Sequence, residues 1–192
     1  MHVQFTNTQL TVAVVALFLV GATIIGLYLQ RRKTRTSGFR NRFGSEYDRA
    51  VVTYGNSKKA EAKLADREMR VKFMKIRDLG ATERERFVAE WQIVQGRFVD
   101  YPKPAVIEAG DLINAILQAR GYPAAGFDQR AADLSVSHPR VMENYRLANA
   151  VTVRPGRADA STEELRTAMV QYRTIFDELI QVQQPNEKVA AA

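Results

Sequence analysis

The chain has no cysteine and only two histidines, His2 and His138. The first absence excludes disulfides, thiolate nucleophiles and zinc sites of the cysteine type. It leaves the redox compartment open, because cytosolic and exported chains alike can do without cysteine. The second leaves no His-x-x-x-His or Glu-x-x-His pair, and with the carboxylates scattered no metal site is expected. Neither common glycine-rich phosphate loop occurs, so no nucleotide cofactor is implied, and no other cofactor is signalled. Proline and glycine are sparse, 6 and 11 of 192 residues, while 46% of the chain is hydrophobic and 26% charged, the composition of a folded protein. No run alternates apolar and polar residues for long enough to argue a strand, so the fold class expected is all-α.

Charge is also missing from the whole of the chain before Arg31. Within that stretch Leu10–Leu29, LTVAVVALFLVGATIIGLYL, is twenty residues long. At about 1.5 Å rise per residue, a helix of that length matches the ~30 Å hydrocarbon core of a bilayer. Residues 1–9 are then a short tail and 10–30 a single transmembrane helix. A cleaved signal peptide needs positive charge before the apolar run and a small-x-small site after it, whereas this run ends in Tyr28, Leu29, Gln30 and Arg31. With no basic residue before the run and six soon after, the positive-inside rule puts the N-terminus outside and the rest in the cytoplasm. In a bacterium that is the inner membrane. Ala22 and Gly26, four apart, offer a small-xxx-small contact for a homo-oligomer.

The net charge of +7 suggests nucleic acid until the charge is located. Arg31, Arg32, Lys33, Arg35, Arg40 and Arg42 are six basic residues with no acid among them. The remainder carries 22 basic against 21 acidic residues. The cluster therefore reads as a topology determinant that touches anionic lipid headgroups, at ~1 kcal/mol per charge near the surface. Nucleic-acid binding is not expected, because the folded part lacks its electrostatic footprint.

Thr34–Gly44, TRTSGFRNRFG, is polar and aperiodic, so residues 31–44 read as a flexible neck. Residues 45–80 form a charged, amphipathic helical arm. Ser45 with Asp48 marks its start, and Tyr47, Val51 and Tyr54 share a face until Gly55 and Asn56 interrupt. Lys58–Asp78 alternates charge around a thin stripe of Ala60, Leu64, Val71 and Met74. That pattern predicts a largely solvated helix that packs along one edge of the domain or pairs with a second copy.

Residues 81–182 read as a helical bundle built on antiparallel hairpins. Thr82 with Glu85 forms a capping box, and Phe87, Trp91, Val94 and Phe98 recur at i, i+4, i+7 and i+11. Asp100 and Pro102 close that helix and open the next, whose stripe is Val106, Gly110, Ile113 and Leu117, widened by Ile107 and Ile116, until Gly121. The short link makes the two a hairpin, with Gly110 allowing a close approach at ~1 kcal/mol of helix propensity. Pro123, Gly126 and Pro139 predict a loop, one helical turn over Asp128–Leu134 and a second loop. A helix resumes at Pro139 through Val141, Tyr145 and Ala148, and Arg154, Pro155 and Gly156 end it. The last helix opens on a second capping box, Ser161 with Glu164, and presents Leu165, Met169, Tyr172, Phe176 and Leu179. Residues 183–192 read as a flexible tail.

FGSEYDRAV, FVDYP, ARGYP, QRAADLSVSHPRVMENYR and STEELRTAMVQYRTIFDEL together resemble a family of bacterial proteins with one N-terminal membrane helix and a helical domain beyond it. The likeness runs from about Phe43 to Leu179 and implies no activity for any residue. In that family a second Asp precedes the Pro of the FVDYP block. Tyr101 stands there in this chain, so a side-chain cap comes from Asp100 or is absent.

Asp133, Ser135, Ser137 and His138 invite a triad reading, but triad members are normally brought together from separate elements, and Ser137 before Pro139 is more simply a helix N-cap. The remaining candidate is a polar and aromatic cluster, Arg120, Tyr122, Asp128, Arg130, Asp133, His138, Tyr145 and Arg146. It lines a pocket or forms a buried network that fixes the loops, with Arg130 and Asp133 pairing on one helical turn. Trp91 and the tyrosines read as core. The function expected is a membrane-tethered adaptor or scaffold that holds a protein partner, without catalysis of its own. The alternative is a ligand-sensing or enzymatic domain with its site between residues 120 and 146.

Overall fold

The computed structural model describes residues 7–153 and 160–181. Within the first helix it leaves aside the side chains of residues 7–15, Phe18, Tyr28, Arg32 and Arg35. The expected helix stop at Arg154, Pro155 and Gly156 and the tail from Gln183 lie outside the described residues. The architecture is all-α: among the described residues there are helices, turns and no strand. Two units divide the chain between Arg42 and Phe43.

The first unit is one helix, α1 (Asn7–Phe43), which runs on to the first residue of the second unit. The flexible neck expected at 31–44 is therefore corrected, since it is helical as far as Phe43. Its polar residues do not break the helix because their hydroxyls turn back on it. Thr34 Oγ1 donates to the carbonyls of Gln30 and Arg31 at 3.1 and 2.9 Å, and Ser37 Oγ donates to that of Thr34 at 2.9 Å. Gly44, at φ +53°, ends α1. Among the described residues no helix is long and apolar enough to cross a membrane. That set leaves out residues 10–15, Phe18 and Tyr28 of the apolar run, and the expected membrane helix draws no support from it.

The second unit opens with α2 (Ser45–Tyr54) and α3 (Ser57–Lys72). Ser45 is not a cap, because Gly44 holds that place and makes no side-chain bond. The buried face of α2 is Glu46, Tyr47 and Ala50, one step round from the expected Tyr47, Val51 and Tyr54. Gly55, at φ +80°, and Asn56, whose side chain accepts from Lys59 N at 2.8 Å, turn α2 into α3. Ala60, Leu64 and Val71 are buried as expected, but α3 stops at Lys72, six residues early. Residues 74–80 run instead as an irregular strap whose Arg77 N–H donates to Arg120 O at 2.9 Å and whose Leu79 enters the core. A long-range backbone bond and an apolar anchor outweigh the helical propensity of that segment.

The bundle follows as α4 (Ala81–Asp100), α5 (Pro102–Ala119), α6 (Phe127–Ser137), a 3₁₀ turn (Pro139–Val141), α7 (Met142–Thr152) and α8 (Thr162–Ile180). The cap of α4 is Gly80, with Glu83 and not Glu85 reaching back to its N–H at 2.9 Å. Arg77 forks onto the same Glu83 at 2.7 Å through each nitrogen and holds its carboxyl well below the usual range, at about 2. Phe87, Trp91 and Val94 are buried, Phe98 half-buried, and Trp91 stacks on Phe176 of α8 at 4.7 Å. Tyr101 is the whole link from α4 to α5 and makes no side-chain cap bond, so the cap that the FVDYP block left open is absent. In α5, Val106, Ile113, Ile116 and Leu117 are buried as expected, whereas Ile107 is exposed and Leu112 joins the buried face. Gly110 does give a close approach, although its neighbour is Tyr172 of α8, whose hydroxyl lies 2.9 Å from where a Cβ would sit.

α5 ends in a Schellman turn, with Tyr122 N donating to Leu117 O at 3.0 Å and Gly121 N to Gln118 O at 2.9 Å. The single turn expected over Asp128–Leu134 is a helix of 11 residues, and the second loop shrinks to His138. The capping box of α8 forms as expected: Ser161 Oγ accepts from Glu164 N, and Glu164 Oε2 accepts from Ser161 N at 2.8 Å. Its face of Leu165, Met169, Tyr172, Phe176 and Leu179 is buried throughout.

Candidate functional site

In the polar cluster of residues 120–146, Arg120, Tyr122, Asp133, His138 and Tyr145 are buried, Arg130 and Arg146 half-buried and Asp128 exposed, and the strongest bonds of its charged members run to partners outside the cluster. Arg120, 3% exposed at the C-cap of α5, donates to Leu179 O at 2.9 Å and to Asp78 Oδ1 at 3.1 Å. It thereby ties the strap to the end of α8. Tyr122 is buried in the Schellman turn. Arg130 donates to Ala125 O at 2.5 Å, and the pairing with Asp133 expected on one turn does not form. Asp133, 1% exposed, instead accepts from Arg70 Nε at 2.7 Å and from the Gln129 amide at 3.0 Å, because α3 packs on α6 and brings a stronger donor. Tyr145 donates to Asn114 Oδ1 at 3.2 Å, with its ring against Phe127 at 4.9 Å. Asp128 borders a shallow surface depression of ≈ 330 Å³, beside Arg67, Arg70 and Gln129.

The triad reading fails on the same grounds. Ser135 Oγ donates to Ala132 O at 2.7 Å within its own helix, and Asp133 and His138 have separate partners. Ser137 is the last residue of α6, and the N-cap position of the following turn belongs to His138. His138 is 1% exposed, and its Nδ1 lies 3.1 Å from Glu178 Oε1. Burial pushes the imidazole below its ordinary value, and the nearby Arg120 adds to this against the opposing pull of Glu178 and Asp78. The unfolded chain then binds a proton that the native state refuses in the window below about pH 6.5. Stability therefore falls as pH drops through that window. The expected result is an unfolding midpoint that declines more steeply below pH ~6.5 in the natural chain than in His138→Gln; equal slopes would remove His138 as the cause.

The most developed polar contact joins residues 100 positions apart. Arg146 on α7 forks onto Glu46 on α2, Nε to Oε1 at 2.8 Å and the terminal nitrogen to Oε2 at 2.9 Å. Arg67 and Arg49 stand 3.7 Å from the same carboxylate. Glu46 is 3% exposed, and its hydrogen bond raises the Arg146 pKa further. Together with Arg70–Asp133 this fastens the α2–α3 hairpin to α6 and α7. Neither Glu46 nor Arg70 was among the expected site residues. The one signal for Glu46 is an acid placed beside Tyr47 on an inward face. Chemically the arrangement clamps helices, and among the described residues no group of three His, Asp or Glu is able to hold a metal ion.

Of the basic cluster, Arg31, Lys33, Arg40 and Arg42 are exposed on α1, and Arg32 and Arg35 lie among the side chains not described. Lys33 and Arg40 border one shallow depression with Leu29, Thr36 and Ser37. No family model, curated protein or solved structure matches the chain, so the likeness to the bacterial membrane family rests on its sequence blocks alone.

Proposed function

We propose that the chain is a membrane-anchored helical adaptor. Leu10–Leu29 spans the inner membrane of a bacterium, the N-terminus lies outside, and the body holds a protein partner at the cytoplasmic face without catalysis of its own. The observation that carries this reading is the outward surface of α1. Leu17, Leu19, Val20, Ile24, Ile25, Leu27 and Leu29 are each between 55% and 74% exposed. Large apolar side chains exposed all round a helix need an apolar medium to cover them. The helical course of residues 31–43 refines the charge argument. Arg42 lies thirteen residues past Leu29, about 20 Å along the axis, beyond the ~8 Å over which salt screens charge. Arg31, Arg32 and Lys33 then act at the headgroups, while Arg40 and Arg42 lie in the last turn of α1. The separate ties of Arg120 to Leu179, Asp133 to Arg70, His138 to Glu178 and Arg146 to Glu46 support the adaptor over an enzyme.

Crosslinking in intact membranes, followed by mass spectrometry, tests the reading. A defined protein partner recovered with the full chain and lost when Met1–Arg42 is removed is the expected result. Self-crosslinks alone would overturn it. A compartment-sensitive reporter fused after Ala192 checks the orientation, and activity only of an exported-side reporter reverses it.

A further inference from the structure

α3 carries two apolar stripes, and the fold uses one of them. Ala60, Leu64 and Val71 face inward. Ala62, Ala65, Met69 and, at the C-cap, Phe73 recur at i, i+3, i+7 and i+11 on the other side. Met69 is 56% and Phe73 79% exposed. Around this edge stand Lys58, Lys59, Lys63, Lys72 and, on the strap, Lys75, against Asp66 and Glu68. Asp66 is 3.8 Å from Lys63. Arg67 and Arg70 turn away to Glu46 and Asp133. The edge thus pairs a thin apolar ridge with a surplus of lysine.

We infer that this edge of α3 lies flat on an anionic lipid surface, with Met69 and Phe73 entering the headgroup boundary and the lysines meeting lipid phosphates. The charge selects that occupant. If a second copy were seated on the same edge, a parallel pair would set Lys58 against Lys58 and Lys72 against Lys72. An antiparallel pair centred on Ala65 would set Lys58 against Lys72. Both arrangements oppose like charges. A lipid surface offers the opposite sign along the whole helix and accepts an in-plane amphipathic helix of this composition. The patch is weak on its own. It rests on the proposed anchor, which keeps the body at high effective concentration beside the bilayer.

The absence of cysteine makes the test direct. The full chain carrying Met69→Cys, labelled with pyrene, is reconstituted into phosphatidylcholine vesicles with or without phosphatidylglycerol, each containing a lipid-borne quencher. Strong quenching is expected only with phosphatidylglycerol, and a label at the exposed Val170→Cys of α8 stays bright. Adding Lys72→Gln and Lys75→Gln shifts the bound-to-free ratio about 30-fold toward free. Quenching at Met69→Cys no greater than at Val170→Cys, in vesicles that retain the chain after alkaline washing, overturns the inference and leaves the anchor standing. Quenching before the wash with loss of the chain during it removes the anchor and overturns the inference as stated, which needs the anchor to hold a weak patch at the surface. Pyrene excimer emission without lipid quenching assigns the edge to a second copy and overturns it.

Discussion

Replacing Glu46 with alanine lowers the unfolding free energy by about 3–5 kcal/mol, the range for removing one partner of a buried pair. The size follows from what remains. Arg146 and Arg67 are only 18% and 16% exposed at their side chains, and both are held against this carboxylate. Without it, two largely dehydrated guanidiniums face each other. Glu46→Gln costs less, because an amide oxygen still accepts from Arg146. The double change Glu46→Ala with Arg146→Ala costs less than the sum of the singles, by ~1–3 kcal/mol, since the second removes the charge the first exposes. Urea unfolding of the detergent-solubilised chain, followed by the emission of its single tryptophan, Trp91, reads all five proteins, the natural chain and Arg146→Ala included. A loss below about 1 kcal/mol for Glu46→Ala would class the contact with ordinary surface pairs and leave the α2–α3 hairpin held by apolar contacts.

That pair also explains why the candidate site was the least legible part of the chain. Helices and their inward faces follow from local period. Trp91, Val94, Ile113, Met169 and Phe176 sit where a spacing of three or four places them, and Ser161 with Glu164 forms the capping box that its spacing encodes. Partners at long range carry no such period. Nothing near Arg146 points to Glu46, nor anything near Asp133 to Arg70. The nearer candidate for Asp133, Arg130, loses because α3 delivers a guanidinium with a bond of 2.7 Å. Residues that are polar, clustered in sequence and set among loops therefore looked like one site. In the fold they are the separate ends of several ties.

Where local structure itself was misread, a neighbour or a self-bond decided it. Thr34 and Ser37 belong to a turn by composition, yet their hydroxyls bond their own helix and keep α1 continuous. α6 outgrew its single expected turn because the Pro-bearing break falls after Ser137 and not before it. The strap, by contrast, has the composition of a helix and is not helical. Its path passes the turn at Gly121, the tightest place for a Cβ among the described glycines.

Gly121→Ala is therefore expected to lose about 3 kcal/mol or more, against roughly 1 kcal/mol for Gly55→Ala. Both residues have positive φ, +94° and +80°, and both ask an L side chain to adopt a rare conformation. They differ in what surrounds the new carbon. Around Gly55 nothing stands within 4 Å, so only the backbone cost applies. At Gly121 the carbon would run into the carbonyl oxygen of Lys75, a backbone atom with no rotamer by which to yield. Either the strap moves, breaking the Arg77–Arg120 hydrogen bond and drawing Leu79 from the core, or the Schellman turn opens. Gly110→Ala separates these effects again. It is helical, its close neighbour is the end of the Tyr172 side chain, and the ~1 kcal/mol gained in helix propensity offsets part of the crowding. The three substitutions thus rank Gly121 well above Gly55, with Gly110 least, in the same urea titration. Should Gly121→Ala cost no more than Gly55→Ala, the strap would be free to step aside, and its path would owe little to the bond with Arg120.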